Sequence, residues 1–367
     1  MSQWIPVQLN TAKEDIKMGN ENYWNNSEAR RKIAEAHTDD MQVRYKHQIE
    51  ASAFGTERYG YPDHAPLRKT VEREYPDTEI VDMDSVSAIF AKKDGKTAVL
   101  NFASYKNPGG MFLKGSCAQE ECLCHASYLY NVLSRYDATY YYSNKQDLNK
   151  SLYRNRALYT PNVFFEKFDQ SGRSIAMCDV ITCAAPNYFA AKKYCNVSRE
   201  ENRNALFSRI AFVRDIAEEN NVETLILGAF GCGVFGQDPY EVAKIFFEMF
   251  YYSSVKKVVY AIPAGVNLDA FRNEWNTSYA NRCVVSRTVK KENLYLVSCD
   301  TGVVACVYVP TTVDRQTMEQ ALQAAKQEYW TKYSYGHLLP EVMCSLLHEE
   351  LNNTKIPHRF VEFENIH

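Results

Sequence analysis

Apolar and polar positions along this chain change period several times. Residues 97–103 (TAVLNFA) form a short β-branched and apolar run, ended by the turn signals of Asn107-Pro108-Gly109-Gly110. Residues 174–182, 222–229 and 257–262 have the same strand character. Helical spacing returns between them: residues 199–220 form a charged amphipathic stretch, and a further helix runs from Pro239 to about residue 252. Ser116 with Gln119 has the form of a capping box, and Cys122, Ala126, Leu129 and Leu133 continue it as one apolar stripe, which predicts a helix from about Ser116. Residues 27–53 also read as helix, with Ser27 as N-cap. Residues 80–90 alternate loosely, as a strand or as a strand and a short helix. Residues 140–156, dense in Tyr, Asn and Lys, read as a loop with Tyr140-Tyr141-Tyr142 at the surface.

Strands alternating with helices at these spacings predict a largely parallel α/β sheet, in which ligands bind at the carboxyl ends of strands. Three loops leave three such ends, at residues 107–110, 184–188 and 230–236, so they converge on one edge. Beyond residue 287 the pattern changes to two strands, 294–299 and 303–309, joined at 300–302, then a helix over 313–333. The expected organisation is a polar, Asn-rich arm over 1–26 containing Trp4 and Trp24, a main domain over 27–286, and an extension over 287–367.

Composition narrows the class. With 46% hydrophobic and 24% charged residues the chain is a globular protein with room for a sizeable core. A net charge of −3 argues against a surface that coats polyanions, so no general nucleic-acid binding is expected. No apolar stretch has the length of a membrane span, and the first ten residues lack the basic-then-apolar order of a signal peptide. Eleven cysteines in apolar contexts fit buried thiols in a reducing compartment, and the cytoplasm is expected.

Two segments carry candidate chemistry. In the first, Glu120 and Glu121 fall within the first turn of the helix expected after the glycine turn, near unpaired amides and the positive end of the macrodipole. First turns attract acids for that reason alone. Here, however, the small turn ahead lets backbone approach a ligand, and paired acids beside exposed amides suit proton transfer at a sugar. In the second segment, Gly231-Cys232-Gly233-Val234-Phe235-Gly236 matches the bare G-x-G-x-x-G pattern. A nicotinamide-dinucleotide site would need an acid about 20 positions on, where this chain has Lys256-Lys257, so an oxidoreductase reading falls away. What survives is a glycine-rich turn offering amides to an anion such as a pyrophosphate. Cys122-x-Cys124-His125 lacks zinc-ligand spacing, and Cys232 has no neighbouring His in sequence and reads as a packing residue.

Together these segments resemble the macrodomain-fold poly(ADP-ribose) glycohydrolases of the microbial type, whose signature is three glycines, a short spacer and Gln-Glu-Glu. Gln119-Glu120-Glu121 is intact here behind a seven-residue spacer, 112–118, while Met111 stands at the third glycine. The resemblance covers roughly residues 29–263. It implies a macrodomain-like three-layer α/β/α fold with a mostly parallel central sheet, plus a small C-terminal α+β extension. It implies a glycosidase that needs no cofactor or metal and acts on ADP-ribose in polymer or on ADP-ribosylated macromolecules. Glu121 would be the acid/base, Glu120 would hold ribose hydroxyls or the departing unit, and Gln119 would orient them. Asn107, Gly109, Gly110 and Met111 would line the scissile ribose. Gly231, Cys232, Gly233, Val234 and Gly236 would cradle the diphosphate, with Phe235 packed on a ribose. The alternative is an ADP-ribose-binding macrodomain module with little or no turnover. Met111 favours it, and the adjacent acids disfavour it.

Overall fold

The structure, a computed structural model, describes residues 26–60, 66, 76–169, 172–251, 253–285, 292–299, 302–310, 313–332, 340–356 and 359–361. Apart from Asn26, the arm expected over 1–26 lies outside the described residues, as do residues 300 and 301 of the expected hairpin turn.

Five strands form the parallel heart of the main sheet: β5 (Gly172–Cys183), β3 (Thr97–Phe102), β6 (Thr224–Leu227), β7 (Lys257–Ala261) and β2 (Asp77–Val81). On the β5 side two antiparallel strands, β4 (Ala157–Asp169) and β1 (Glu57–Tyr59), complete the order β1-β4-β5-β3-β6-β7-β2. The central strands are apolar on both faces, as a sheet covered by helices on both sides requires. Ala98, Leu100, Leu225, Leu227, Val258 and Tyr260 face one core, with α8 (Arg199–Glu219), α9 (Pro239–Met249) and Phe271 of α10 (Val266–Val285). Val99, Ile226 and Val259 face the other, with α1 (Ser27–Arg44), α2 (Lys46–Phe54), α3 (Ser85–Lys92), α4 (Gln119–His125) and α5 (Leu129–Leu133). This is a three-layer α/β/α architecture.

The C-terminal part has its own antiparallel sheet, β10 (Arg359–Val361), β9 (Gly302–Pro310) and β8 (Glu292–Cys299). Val307 and Val309 of β9 pack on Met318, Ala321 and Ala325 of α11 (Arg315–Lys332) and on Leu346, Leu347 and Leu351 of α12 (Pro340–Asn353). Among the described residues no helix is long and apolar enough to cross a membrane.

Several sequence expectations need correction. The helix expected over 27–53 breaks at Tyr45 into α1 and α2, and its cap is Asn26, whose Oδ1 accepts from the amides of Glu28 and Ala29, both at 3.1 Å. Residues 157–169, to which the sequence pattern assigns no element, form β4. The strand accommodates Pro161 at a register shift between Thr160 and Val163, where Asn162 takes a left-handed φ of 58°. Residues 140–156 are not an open loop: they fold into short helical turns, including α6 (Tyr142–Gln146). Tyr140 and Tyr141 are buried and only Tyr142 is exposed, because the turns carry the first two rings, edge to face on each other, into the core.

Candidate active site

The helix carrying the paired acids starts later than its capping box predicts. Its N-cap is Ala118, with no side-chain cap, and the single apolar stripe is split into α4 and α5. The reason is the use made of Gln119. Its Oε1 accepts from Phe102 N (2.8 Å), and its Nε2 donates to Leu100 O (2.8 Å) and Ser85 Oγ (3.1 Å). The side-chain amide thus bonds the backbone of β3 as a neighbouring strand would, and pins the start of α4 to the end of β3. Gln119 orients the acids by anchoring their helix. From the other side Arg30 of α1, itself buried, donates to Gly115 O at 2.6 Å and holds the turn that leads into α4.

Glu120 and Glu121 are both buried, at 3% and 5% exposure. Glu120 Oε2 accepts from Ser104 N (2.7 Å) and Oε1 from Asn101 Nδ2 (3.3 Å). Burial pushes the Glu120 carboxyl up to about 8, helped by the neighbouring Glu121 charge and opposed by the Ser104, Asn101 and Gly109 donors. Glu121 is held differently. Its Oε1 accepts from Met111 N (2.8 Å), whereas Oε2 is buried with no hydrogen-bond partner. An unpaired buried carboxylate oxygen is costly unless a ligand completes it.

The glycine turn lies directly over this pair. Gly109 and Gly110 both have φ near +63°, and a Cβ on Gly110 would stand 2.5 Å from Glu121 Oε1 and 2.9 Å from Glu120 Oε2. At Gly109 it would stand 2.7 Å from the Tyr130 ring. Both positions therefore demand glycine twice over, by backbone conformation and by space. Met111 does not: its φ of −112° suits any residue, and its side chain is 41% exposed. Asn107 is exposed, and its carbonyl closes the turn by accepting from Gly110 N (3.1 Å).

The second glycine-rich loop joins β6 to α9. Its internal bonds run from Cys232 N to Ala229 O, Gly236 N to Gly233 O and Gln237 N to Gly231 O, at 3.0–3.1 Å. These leave the amides of Gly233, Val234 and Phe235 without a protein acceptor among the described residues. Gly233 is open, since a Cβ there would meet nothing within 4 Å, while Gly231 (φ +77°) is pressed on Ala185 and Gln237. Three consecutive free amides beside an uncrowded glycine have the make-up of a cradle for an anion. Cys232 is a packing residue, its thiol pushed up to about 12 by burial.

Sequence reasoning missed several residues that shape this edge. Gln237 and Asn202 of α8 are buried and bond each other reciprocally (2.8 Å both ways), and Gln237 Nε2 also donates to Pro186 O (2.7 Å). The cradle is thereby tied to the loop after β5. Tyr105 and Tyr153 stack at 4.2 Å, and Phe235 meets Tyr153 edge to face at 6.1 Å. Asn101 carried a usable signal, a polar residue in an apolar strand. Tyr153 carried none, since its left-handed φ of 62° is not encoded by its residue type. Among the described residues no group of three or more His, Cys, Asp or Glu could hold a metal ion.

A parallel sheet whose strand ends present paired buried acids under a glycine turn, next to an anion cradle, defines a macrodomain-type sugar-nucleotide hydrolase. A family profile described as the microbial-type PARG catalytic domain matches residues 25–167. The poly(ADP-ribose) glycohydrolase of Thermomonospora curvata is 27% identical, covering 67% of this chain and 99% of that one, with a TM-score of 0.59. The same enzyme bound to the inhibitor ADP-HPD matches with a TM-score of 0.57. The poly(ADP-ribose) glycohydrolase of Deinococcus radiodurans in complex with ADP-ribose is 31% identical, covering 62% of this chain and 97% of that one, with a TM-score of 0.55. Among curated proteins nothing matches. The chain belongs to the microbial-type poly(ADP-ribose) glycohydrolase family.

Proposed function

We propose that Glu121 is the acid/base with which this chain, a poly(ADP-ribose) glycohydrolase, cleaves the O-glycosidic ribose bond and releases ADP-ribose. The observation that carries the assignment is the unpartnered, buried Oε2 of Glu121, alongside an Oε1 fixed by Met111 N. Glycoside cleavage passes through an oxocarbenium-like transition state that needs a proton on the leaving oxygen and a base for water. For this Glu121 enters the cycle protonated, with substrate bound; it gives that proton to the leaving ribose oxygen and regains one from the water that attacks the anomeric carbon, ending in the form in which it began. The Asn101 and Ser104 donors fix Glu120, which holds ribose hydroxyls with its remaining lone pairs. The cradle of Gly231 to Gly236 takes the diphosphate, Phe235 packs on a ribose, and Asn107 with Gly109 to Met111 borders the reacting ribose.

The same proposal divides the chain into a catalytic domain over 27–286 and an extension over 287–367, and places the protein in the cytoplasm. The seven cysteines whose side chains are described are all free thiols, which supports that location. The test is incubation with ADP-ribose polymer and with singly ADP-ribosylated peptides, following free ADP-ribose by chromatography. Tight ADP-ribose binding without release from any substrate would turn the reading to a binding module.

A further inference from the structure

Helix α7 (Tyr188–Cys195) starts where the loop after β5 ends, and none of the roles assigned above falls on it. It nevertheless abuts the diphosphate cradle. Phe189 N donates to Phe235 O (3.0 Å), and a Cβ on Gly236 would stand 3.2 Å from Phe189 Cβ. Two aromatic side chains of this short helix are left open, Phe189 at 58% and Tyr194 at 70% exposure, next to a cradle residue, Val234, at 85%. Lys193 reaches both rings, with Nζ 5.6 Å from the Phe189 centroid and 5.1 Å from that of Tyr194. Lys192 sits 5.9 Å from the ring of Tyr188. Among the described residues neither lysine pairs with a carboxylate, although acids outnumber bases in the chain as a whole.

Open aromatic faces interleaved with unpaired ammonium groups are the chemistry of single-stranded nucleic-acid grooves, where bases stack and cations follow the backbone. A polymer of ADP-ribose presents the same alternation, with one adenine and one diphosphate in every unit. We infer that α7 is a second subsite, holding the polymer unit next to the one being cleaved, with its adenine on Phe189 and its diphosphate at Lys192 and Lys193. The inference rests on the glycohydrolase reading. It makes polymer, rather than a single ADP-ribosyl group, the preferred substrate. Charge complementarity and direct contact with the cradle select this occupant. β5 pairs with β3, so the loop that leads into α7 and the loop that carries the glycine turn leave the sheet from neighbouring strands.

The test compares affinity for a short ADP-ribose polymer with affinity for free ADP-ribose, in the full chain carrying Glu121→Gln to prevent turnover. Phe189→Ala and Lys193→Glu are introduced separately; both side chains are exposed, and the Phe189 backbone bond survives either change. Each should weaken polymer binding by about 5- to 150-fold, the effect of losing one base stack, while ADP-ribose affinity stays within about two-fold. Lys193→Glu should also flatten the salt dependence of polymer binding. Equal losses for both ligands would make α7 a brace of the cradle, and unchanged polymer affinity in both variants would make it plain surface. Oligoadenylate binding as tightly as polymer through the same side chains would reassign the face to nucleic acid. Any of these outcomes overturns the inference. Failure of the glycohydrolase reading shows elsewhere, as an absence of ADP-ribose release by the chain with Glu121 intact.

Discussion

Gly233 separates binding from folding more cleanly than any other position in the site. Its φ is outside the left-handed region and a Cβ there meets nothing within 4 Å, so Gly233→Val should leave stability within about 0.5 kcal/mol of the parent, as for an ordinary surface change. The added isopropyl group, however, enters the space over the free amides of Gly233, Val234 and Phe235. A hydrogen bond to a charged acceptor contributes about 1.5–3 kcal/mol, so losing even one of the three should weaken ADP-ribose binding by roughly 10- to 150-fold. Gly231→Ala is the counterpart. At φ +77°, its Cβ would lie 2.8 Å from Ala185 Cβ and 2.9 Å from Gln237 Cγ, so the fold itself should lose about 1–3 kcal/mol. Calorimetric titration with ADP-ribose and thermal unfolding, run on both variants, separate the two effects. A stable Gly233→Val protein with parental affinity would refute the cradle.

Three further outcomes follow from the acids and the turn. Glu121→Gln should keep ADP-ribose affinity while turnover falls by about 10²- to 10⁴-fold, and a few-fold effect would remove Glu121 from the chemistry. Glu120, raised to about 8 by burial, favours the folded state in its protonated form, so its contribution is full below its ordinary value near 4.5 and is lost as pH rises through 8. At about 1.4 kcal/mol per pH unit that loss reaches at most about 5 kcal/mol, and unfolding scans from pH 4 to 9 should show a decline that Glu120→Gln flattens. A decline of equal size in Glu120→Gln would locate its source elsewhere. Met111→Gly should raise turnover of polymer more than that of a single ADP-ribosyl unit, if the exposed thioether narrows the mouth of the site. An unchanged ratio of the two rates would make the replacement neutral.

The sequence exposed the site more fully than the fold around it, for physical reasons. Glycine turns and acids are local signals, so the loops after β3 and β6 could be read residue by residue. The central parallel strands β3, β6 and β7 were legible because burial on both faces makes them apolar throughout, whereas the edge strand β2, DTEIV, is partly exposed and half polar and gave no such run. β4 was hidden because Pro161 breaks a strand pattern wherever tertiary context does not supply a bulge. The capping box at Ser116 failed because Gln119 has a better use at the end of β3, 17 and 19 residues back in the chain, where its amide satisfies both Phe102 N and Leu100 O. Such long-range bonds compete with local caps, and spacing alone cannot rank them. The Gln237, Asn202 and Pro186 network is of the same kind, joining residues far apart in sequence.

Met111 breaks a three-glycine signature, and taken by itself that departure counts against the enzymatic reading. The structure divides that signature into unequal parts. Gly109 and Gly110 must be glycine, since each is left-handed and each leaves no room for a Cβ, at Gly110 because both carboxyl groups stand against it. The third position contributes only its amide, which donates to Glu121 Oε1, and a φ of −112° lets any non-proline residue supply that bond. Positioning of the Glu121 carboxyl is therefore independent of the departure. What the side chain at 111 changes is the partly exposed border of the ribose site, a matter of which substrate enters. A pure binding module would have no need of the buried, unpartnered Glu121 Oε2.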